Sequence, residues 1–423
     1  MGFSFLHIAD IHFGRPFSGL SKYSCDERVN SLYNKGVENA FNNFIDFAIN
    51  NKVDFVLIAG DTFDSSEQDF KSKLILKSGL NKLQNAGIKS FLICGNHDPL
   101  SSYNKNTFDY DENSLVKIVG LNTKSVESFK IDDYAQVHAI SFESNEFRQN
   151  PVELLPQLTV EDKKIFNIGL LHCDLNADKN SVYAPCSSGD LKSLNYNYWA
   201  LGHIHLPQED ENIFYAGTIQ GRNTKETGSH GFRYVQVENN NIISNDFISS
   251  DVIRYEDIDV DLSETNNIIS AYDKIVEIIE DKISKDRVDL YLLRINFVGA
   301  VEYFSEINDE FFSSIADRIK TEYLGKIYVS DFYNNLMVKV DEENLKADDG
   351  IVGEIYNVLQ QEDSFANSFE VVKKQLKTVI SNCNFTSTEL EVLKEELYFE
   401  VKEKCLNICN IVYNNENSEA NDE

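Results

Sequence analysis

Cysteine, positive charge and long apolar runs are all in short supply in this sequence, and each shortage excludes something. Seven cysteines in 423 residues, at 25, 94, 173, 186, 383, 405 and 409, give an odd count and no C-x-x-C pair. Neither a disulfide framework nor a cysteine-rich structural zinc site is expected, and the thiols read as reduced ones. No apolar stretch approaches the ~20 residues of a membrane span, and the N-terminus lacks the basic-then-apolar plan of a signal peptide. A cytoplasmic protein without a membrane partner is the expectation. Lysine and arginine number 39 against 69 aspartates and glutamates, a formal net charge of −30. Residues 1–250 hold 22 basic and 31 acidic residues, a balance of −9, whereas 251–423 hold 17 and 38, a balance of −21. Such a chain does not draw phosphate backbones in over long range. If it acts on nucleic acid, the contact must be local, through metals and a few Arg/Lys, or shared with a partner. With 42% hydrophobic residues, the composition is that of a globular protein of two or three domains.

What is present begins with apolar runs that end in polar clusters. Phe3–Ala9 reads as a buried strand ending at Asp10-Ile11-His12. Residues 31–51 have helical spacing, and Asp54–Ala59 is a second run, ending at Gly60-Asp61-Thr62-Phe63-Asp64. A helix is expected over 69–86, then a strand over Ser90–Cys94 that ends at Gly95-Asn96-His97-Asp98. Alternating helices and fully apolar strands imply parallel sheet with right-handed crossovers. Shorter strands are expected near 115–120 and 136–142. The run Ile165–Leu171 ends at His172, and Tyr198–Leu201 ends at Gly202-His203-Ile204-His205. Strands over 213–217 and 232–237 follow.

From about 251 the pattern changes. A strand (252–260), an acidic helix (264–282), a strand (288–298), a helix (302–323) and a strand (326–339) suggest a small α+β domain over 251–345. Beyond it, 346–423 reads as helices with a polar tail. Leu390, Leu393, Leu397, Val401, Cys405, Ile408 and Val412 recur at intervals of three or four. That stripe is either internal packing or a surface offered to a partner's helices.

Five of the eight histidines (12, 97, 172, 203 and 205) sit at strand ends, where open α/β sheets assemble their sites. His203 and His205, one residue apart, can reach one side together. Asp10, His12, Asp61, Asn96, His172, His203 and His205 form a mixed nitrogen and oxygen donor set. It suits Mn, Fe, Co or Zn better than Ca. Seven donors exceed the need of one ion, and two ions sharing Asp61 account for them. Such a pair clamps a phosphate ester and supports attack by water on phosphorus. His97 would face the phosphate, as a stabilising imidazolium or as an acid for the leaving oxygen. Asp64 would orient His97 or another ligand.

These residues resemble the five ordered motifs of the calcineurin-like metallophosphoesterases: Asp10-x-His12, Gly60-Asp61-x-x-Asp64, Gly95-Asn96-His97-Asp98, His172 and Gly202-His203-x-His205. Within that superfamily the chain is similar to the bacterial SbcD-type DNA double-strand-break nucleases. Leu6–Phe13, Ala216–Arg222 and Lys225–Gly228 are most similar to the YhaO-like exonuclease branch. The motifs cover roughly 1–235.

The resemblance implies a metallophosphoesterase β-sandwich flanked by helices over 1–250, an α+β DNA-capping domain and a helical segment docking on an SbcC-like coiled-coil ATPase. A homodimer is also open to such a chain. The resemblance further implies two divalent ions, manganese first. Asp10, His12, Asp61 and His205 would hold one ion, and Asp61, Asn96, His172 and His203 the other. His97 would be catalytic. Asp64 stands where archaeal and eukaryotic relatives often have histidine. Ser65 and Asp98 depart from the protein-phosphatase pattern.

The expected function is therefore a Mn-dependent DNA-repair exonuclease, with endonuclease activity open. The alternatives are a phosphoesterase for nucleotides or small diesters, or a non-catalytic subunit of an ATPase assembly. The intact donor set argues against the last. Outside the donor set, His7 and His138 read as structural, and Asp98 as a loop cap. Arg15, Arg222, Lys225 and His230 either touch substrate or are ordinary loop residues.

Overall fold

The computed structural model describes residues 2–19, 22, 26–65, 69–103, 114–121, 126–177, 180–283, 288–339 and 342–361. It also describes residues 365, 369–370, 373–374, 392, 394, 397–398, 401–402, 404–406 and 408–409. Two compact units divide the chain. One comprises Met1–Glu256, Lys285–Leu293 and Ile319–Ser330; the other comprises Asp257–Ser284, Arg294–Arg318 and Asp331–Glu423.

The first unit is built on two six-stranded sheets. Strands β1 (Gly2–Ile8), β2 (Phe55–Ala59), β3 (Lys89–Ile93) and β4 (Val116–Ile118) are followed by β5 (Glu127–Ile131), β6 (Ala135–Ala139), β7 (Phe166–His172) and β8 (Tyr198–Gly202). Next come β9 (Gln208–Asp210), β10 (Ile213–Tyr215), β11 (Gly231–Glu238) and β12 (Asn241–Ser249). One sheet has the order β12-β11-β1-β2-β3-β4, the other β5-β6-β7-β8-β10-β9. Strands β1 to β4 pair in parallel, as do β6, β7, β8 and β10. Antiparallel strands lie only at the margins, through β11, β12, β5 and β9.

Alternation along the strands divides the core into layers. Phe5, Phe55, Leu57, Ile168, Leu170, Tyr198 and Ala200 pack between the sheets. Val56 and Ile58, one residue out of step, face the helices α1 (Glu27–Asn51) and α2 (Phe70–Asn85), meeting Phe41, Phe44, Ile45, Leu76 and Leu80. Burial on both faces is why these strands read as unbroken apolar runs. Asp26 caps α1, and Asp69 caps α2, each accepting a backbone N–H of the first turn. A short helix, α3 (Ser188–Ser193), carries a capping box from Ser187 and Asp190. On the outer side of the second sheet, Trp199, Tyr196 and Leu171 form a further apolar cluster.

Strand β13 (Ile253–Asp261), helix α4 (Ile268–Lys282), strand β14 (Leu290–Val301), helix α5 (Asp309–Glu322) and strand β15 (Ile327–Val338) follow. The three strands pair in the order β13-β14-β15. Helix α4 starts at Ile268, later than helical spacing alone suggests, because Asn267 and Ser270 form a capping box there. The expected helix over 302–323 is broken. Phe304–Glu306 is a single tight turn, and Asn308 Oδ1 accepts from the backbone N–H of Glu310 and Phe311 to open α5. Within the second unit Phe297 packs against Phe311, Phe312 and Phe332. Helices α6 (Glu342–Ala347) and α7 (Ile351–Leu359) follow, and Leu345, Val352, Tyr356, Leu406 and Cys409 cluster. Of the apolar stripe over 389–412, Leu390, Leu393 and Val412 lie outside the described residues. No helix among the described residues is long and apolar enough to cross a membrane.

Candidate metal centre

The C-terminal ends of β1, β2, β3, β7 and β8 meet at one place, all within the first unit. The loops that leave β1 and β2 run side by side. The N–H groups of Asp10, His12 and Phe13 donate to the carbonyls of Gly60, Asp61 and Thr62 at 3.2, 2.9 and 2.9 Å. Asp10, His12 and Asp61 have φ of 50°, 48° and 49°, and His203 has 103°, all in territory where side chains other than glycine's are uncommon. Each such residue costs on the order of 1–3 kcal/mol and persists only where its surroundings over-determine it. Close approach does part of that work. A Cβ at Gly95 would lie 2.1 Å from Asp61 Oδ1, and one at Gly202 would lie 2.0 Å from the Ala59 carbonyl oxygen. Only glycine lets these loops close on one another.

All seven expected donors converge. Asp10, His12, Asp61, Asn96 and His172 are buried, and His203 and His205 are half-buried. His172 Nε2 lies 3.0 Å from Asn96 Oδ1 and 3.4 Å from Asp61 Oδ2. His203 Nδ1 lies 3.2 Å from the same Asn96 oxygen. His12 Nε2 lies 3.1 Å from His205 Nε2 and 3.7 Å from Asp61 Oδ2. A single carboxylate oxygen of Asp61 thus faces both halves of the cluster. Asp10 with His12 and His205, and Asp10 with Asp61 and His172, each bring three ligand atoms within 4.8 Å of one another. Asp10 also accepts the His203 N–H through both carboxylate oxygens, at 3.2 and 3.0 Å.

The chemistry of these contacts fits cations. His172 Nδ1 must donate to the Ala59 carbonyl, 2.9 Å away, since a carbonyl only accepts. Its Nε2 lone pair then confronts two further acceptors, Asn96 Oδ1 and Asp61 Oδ2. Without metal the arrangement holds only if His172 carries a second proton. Burial works to lower its pKa, but the charge and hydrogen bond of Asp61 outweigh this and push it up to about 9. Burial likewise works to raise Asp61, and His172 and His12 overcome it, holding the carboxyl below its usual range. Burial lowers His12 to about 4 and His203 to about 3, leaving both imidazoles neutral and able to coordinate. A divalent cation satisfies all these lone pairs without added protons.

His97 sits at the rim, its side chain 43% exposed, and its ring meets that of His12 edge-on at 4.8 Å. Its N–H donates to Asp61 Oδ1 at 2.9 Å, and Nδ1 donates to the Asp64 carbonyl at 2.8 Å. The Asp64 carboxylate turns instead to His12, 3.2 Å from Nδ1 against 4.0 Å from His97. It is therefore the backbone of Asp64 that holds His97, while its side chain lies closer to His12.

Other residues singled out in the sequence find their places. Asp98 caps its loop, accepting from the N–H groups of Thr62, Phe63 and Gly95 and from the Tyr103 hydroxyl. His138 is satisfied by Ser128 and Asn167. His230 is sealed from solvent and bonds the Glu226 carbonyl. Arg222 is buried rather than a loop charge. Its guanidinium donates to the carbonyls of Ile11 and His12 and to Thr218 Oγ1. Sequence reasoning missed Glu226, whose Oε1 lies 2.8 Å from His205 Nδ1. Its signal was its place in Lys225–Gly228, one of the stretches that carry the YhaO-like resemblance, in a loop that returns after the histidine pair.

The calcineurin-like phosphoesterase family model matches residues 3–207. The chain is 31% identical over 291 residues to the uncharacterised metallophosphoesterase YhaO of Bacillus subtilis, across 67% of this chain and 68% of that protein. It is 23% identical over 291 residues to the D component of the SbcCD nuclease of Staphylococcus epidermidis, across 60% and 73%. It is 30% identical over 202 residues to the DNA double-strand break repair protein Mre11 of Sulfurisphaera tokodaii, across 47% and 48%.

Proposed function

Since the chain belongs to the calcineurin-like phosphoesterase family, we propose that it is a Mn-dependent phosphodiesterase that degrades DNA from its ends, working beside an SbcC-like ATPase. The observation that carries this is the convergence of seven candidate donors from five strand ends, with the Asp61 carboxylate, one of the seven, facing both His12 and His172. The similarity to the D component of SbcCD and to Mre11 supports DNA as substrate and an ATPase as partner. The net charge of −30 agrees with a partner that supplies part of the DNA-binding surface.

Asp10, His12, Asp61 and His205 would hold one ion, and Asp61, Asn96, His172 and His203 the other. Bound divalent ions there supply charge for the phosphate oxygens and acidify a water. The protein's own part is positional. The Asp64 carbonyl fixes the Nδ1–H of His97 and leaves Nε2 for the departing oxygen; as an imidazolium, His97 would pass its Nε2 proton to that oxygen as the bond to phosphorus breaks. The Asp64 carboxylate steadies His12 from behind. Glycines at 95 and 202 exclude side chains that would part the loops.

The test is release of nucleotides from linear duplex or single-stranded DNA by the purified chain with Mn, alone and with its ATPase. DNA loss that depends on Mn and on His97 supports the reading. Cleavage of bis-p-nitrophenyl phosphate with no attack on DNA under any of these conditions would replace it with a small-diester phosphodiesterase. ATPase binding without either cleavage would make the chain an assembly subunit. Deleting 386–423 is expected to abolish ATPase binding and to spare diester cleavage.

A further inference from the structure

The loop after the last histidine pair bends back and ties that pair to the first motif. The Thr218 N–H donates to the His205 carbonyl at 2.9 Å, and Thr218 Oγ1 donates to the Asp10 carbonyl at 2.7 Å. Arg222 Nη1 reaches the carbonyls of Ile11 and His12 at 3.1 and 3.3 Å, and the Arg222 backbone N–H donates to Glu226 Oε2 at 2.8 Å. Glu226 Oε1 then meets His205 Nδ1. The Glu226 side chain is 9% exposed and that of His205 24%.

We propose that Glu226 is a positioning residue that fixes the tautomer of His205, turning a bare Nε2 toward the metal position it shares with His12. A carboxylate can only accept, so the proton of their 2.8 Å bond belongs to His205 Nδ1. On His12 the corresponding neighbour is Asp64, whose Oδ1 lies 3.2 Å from Nδ1. Two carboxylates thus stand behind two imidazoles whose Nε2 atoms face each other at 3.1 Å. Facing lone pairs repel, and a cation relieves them. Arg222 keeps this geometry by bracing the His12 backbone and the Glu226 loop together.

The inference rests on the metal-centre reading of the site but not on DNA as substrate. Carboxylates that hold a ligating histidine typically contribute 10- to 100-fold in metal affinity. Metal-stripped full-length protein is titrated with Mn and followed by calorimetry and electron paramagnetic resonance, for the wild type, Glu226→Ala and Glu226→Gln. Glu226→Ala is expected to weaken one of the two Mn sites about 10- to 100-fold and to leave the other nearly unchanged. Glu226→Gln, which keeps one oxygen acceptor, is expected to fall between. Wild-type affinity at both sites in Glu226→Ala would overturn the proposal.

Long-range proton–nitrogen spectra of ¹⁵N-histidine protein, assigned with a His205 variant, report the tautomer without metal and without any Glu226 variant. The Nδ1–H form is expected, and an Nε2–H form would overturn the proposal even if Glu226→Ala fails to fold. A wild type that binds no Mn would instead sink the metal-centre reading. Mn binding without DNA cleavage would sink only the substrate.

Discussion

His7 on β1 and Tyr198 on β8 are joined by a 3.1 Å hydrogen bond that crosses from one sheet to the other. The second ring nitrogen of His7 lies 3.1 Å from the Leu201 carbonyl, so Nε2 carries the proton and Nδ1 accepts from the tyrosine hydroxyl. Burial drives the His7 pKa down to about 3; the charge of Arg233 adds to this, and the Leu201 bond opposes it. An unfolded chain protonates His7 near the ordinary histidine value of 6.5. Below that pH the unfolded state therefore binds a proton that the folded state refuses. Stability is full above about 6.5 and falls as pH drops toward 3, by about 1.4 kcal/mol per unit. Urea unfolding at pH 7 and pH 5 should show the wild type losing about 2 kcal/mol more than His7→Gln, which keeps a donor for Leu201. Equal losses in the two proteins would contradict the burial argument.

His97→Ala and Asp61→Ala should both abolish diester cleavage, but for separable reasons. On the proposed mechanism His97 gives a proton and holds no ion, so its removal is expected to cost about 10²- to 10⁴-fold in rate with metal content intact. Asp61 faces both halves of the cluster, and its loss should empty the centre as well. Metal analysis of the two purified variants makes the distinction. A His97→Ala protein stripped of metal would move His97 among the ligands.

His203 and His205, one residue apart, should serve different ions. His203 turns Nδ1 to Asn96, and His205 turns Nε2 to His12. Each alanine variant is therefore expected to lose one Mn site preferentially, and a different one in each case. Equal loss from both sites in each variant would mean the pair acts on a single ion.

Gly95→Ala offers a test of backbone fit with no change of chemistry. The added methyl would sit 2.1 Å from Asp61 Oδ1 and 2.6 Å from its backbone nitrogen, well inside contact distance. We expect loss of metal binding together with a lowered melting temperature. Gly87, whose added carbon would meet nothing within 4 Å, leaves the metal centre unaffected when changed to asparagine, a residue that tolerates its positive φ.

The parallel core of the fold and the meeting of seven candidate donors were legible in the sequence, because the strands leave uninterrupted apolar runs and their ends concentrate histidine. Orientation was less legible. The sequence placed Asp64 beside His97 without revealing that its carbonyl and carboxylate would take different histidines. Glu226 and Arg222 act over contacts 21 and more than 200 residues apart, from a loop with no periodicity to register them. Arg222 in particular looks like any loop charge until its burial is known. The α4 and α5 boundaries turned on side-chain caps at Asn267 and Asn308, which compete with the apolar spacing that extends each helix too far.

The left-handed backbone at Asp10, His12, Asp61 and His203 has a consequence for how this protein can change. At each of these positions glycine would relieve the backbone, so folding and coordination favour opposite residues. A library selected for heat resistance alone should drift away from the donors first at these sites. Selection for cleavage should hold them there and seek its stability elsewhere, in the sheets and helices that form the core. Comparing the two selected populations position by position would expose the centre without any assay of its chemistry.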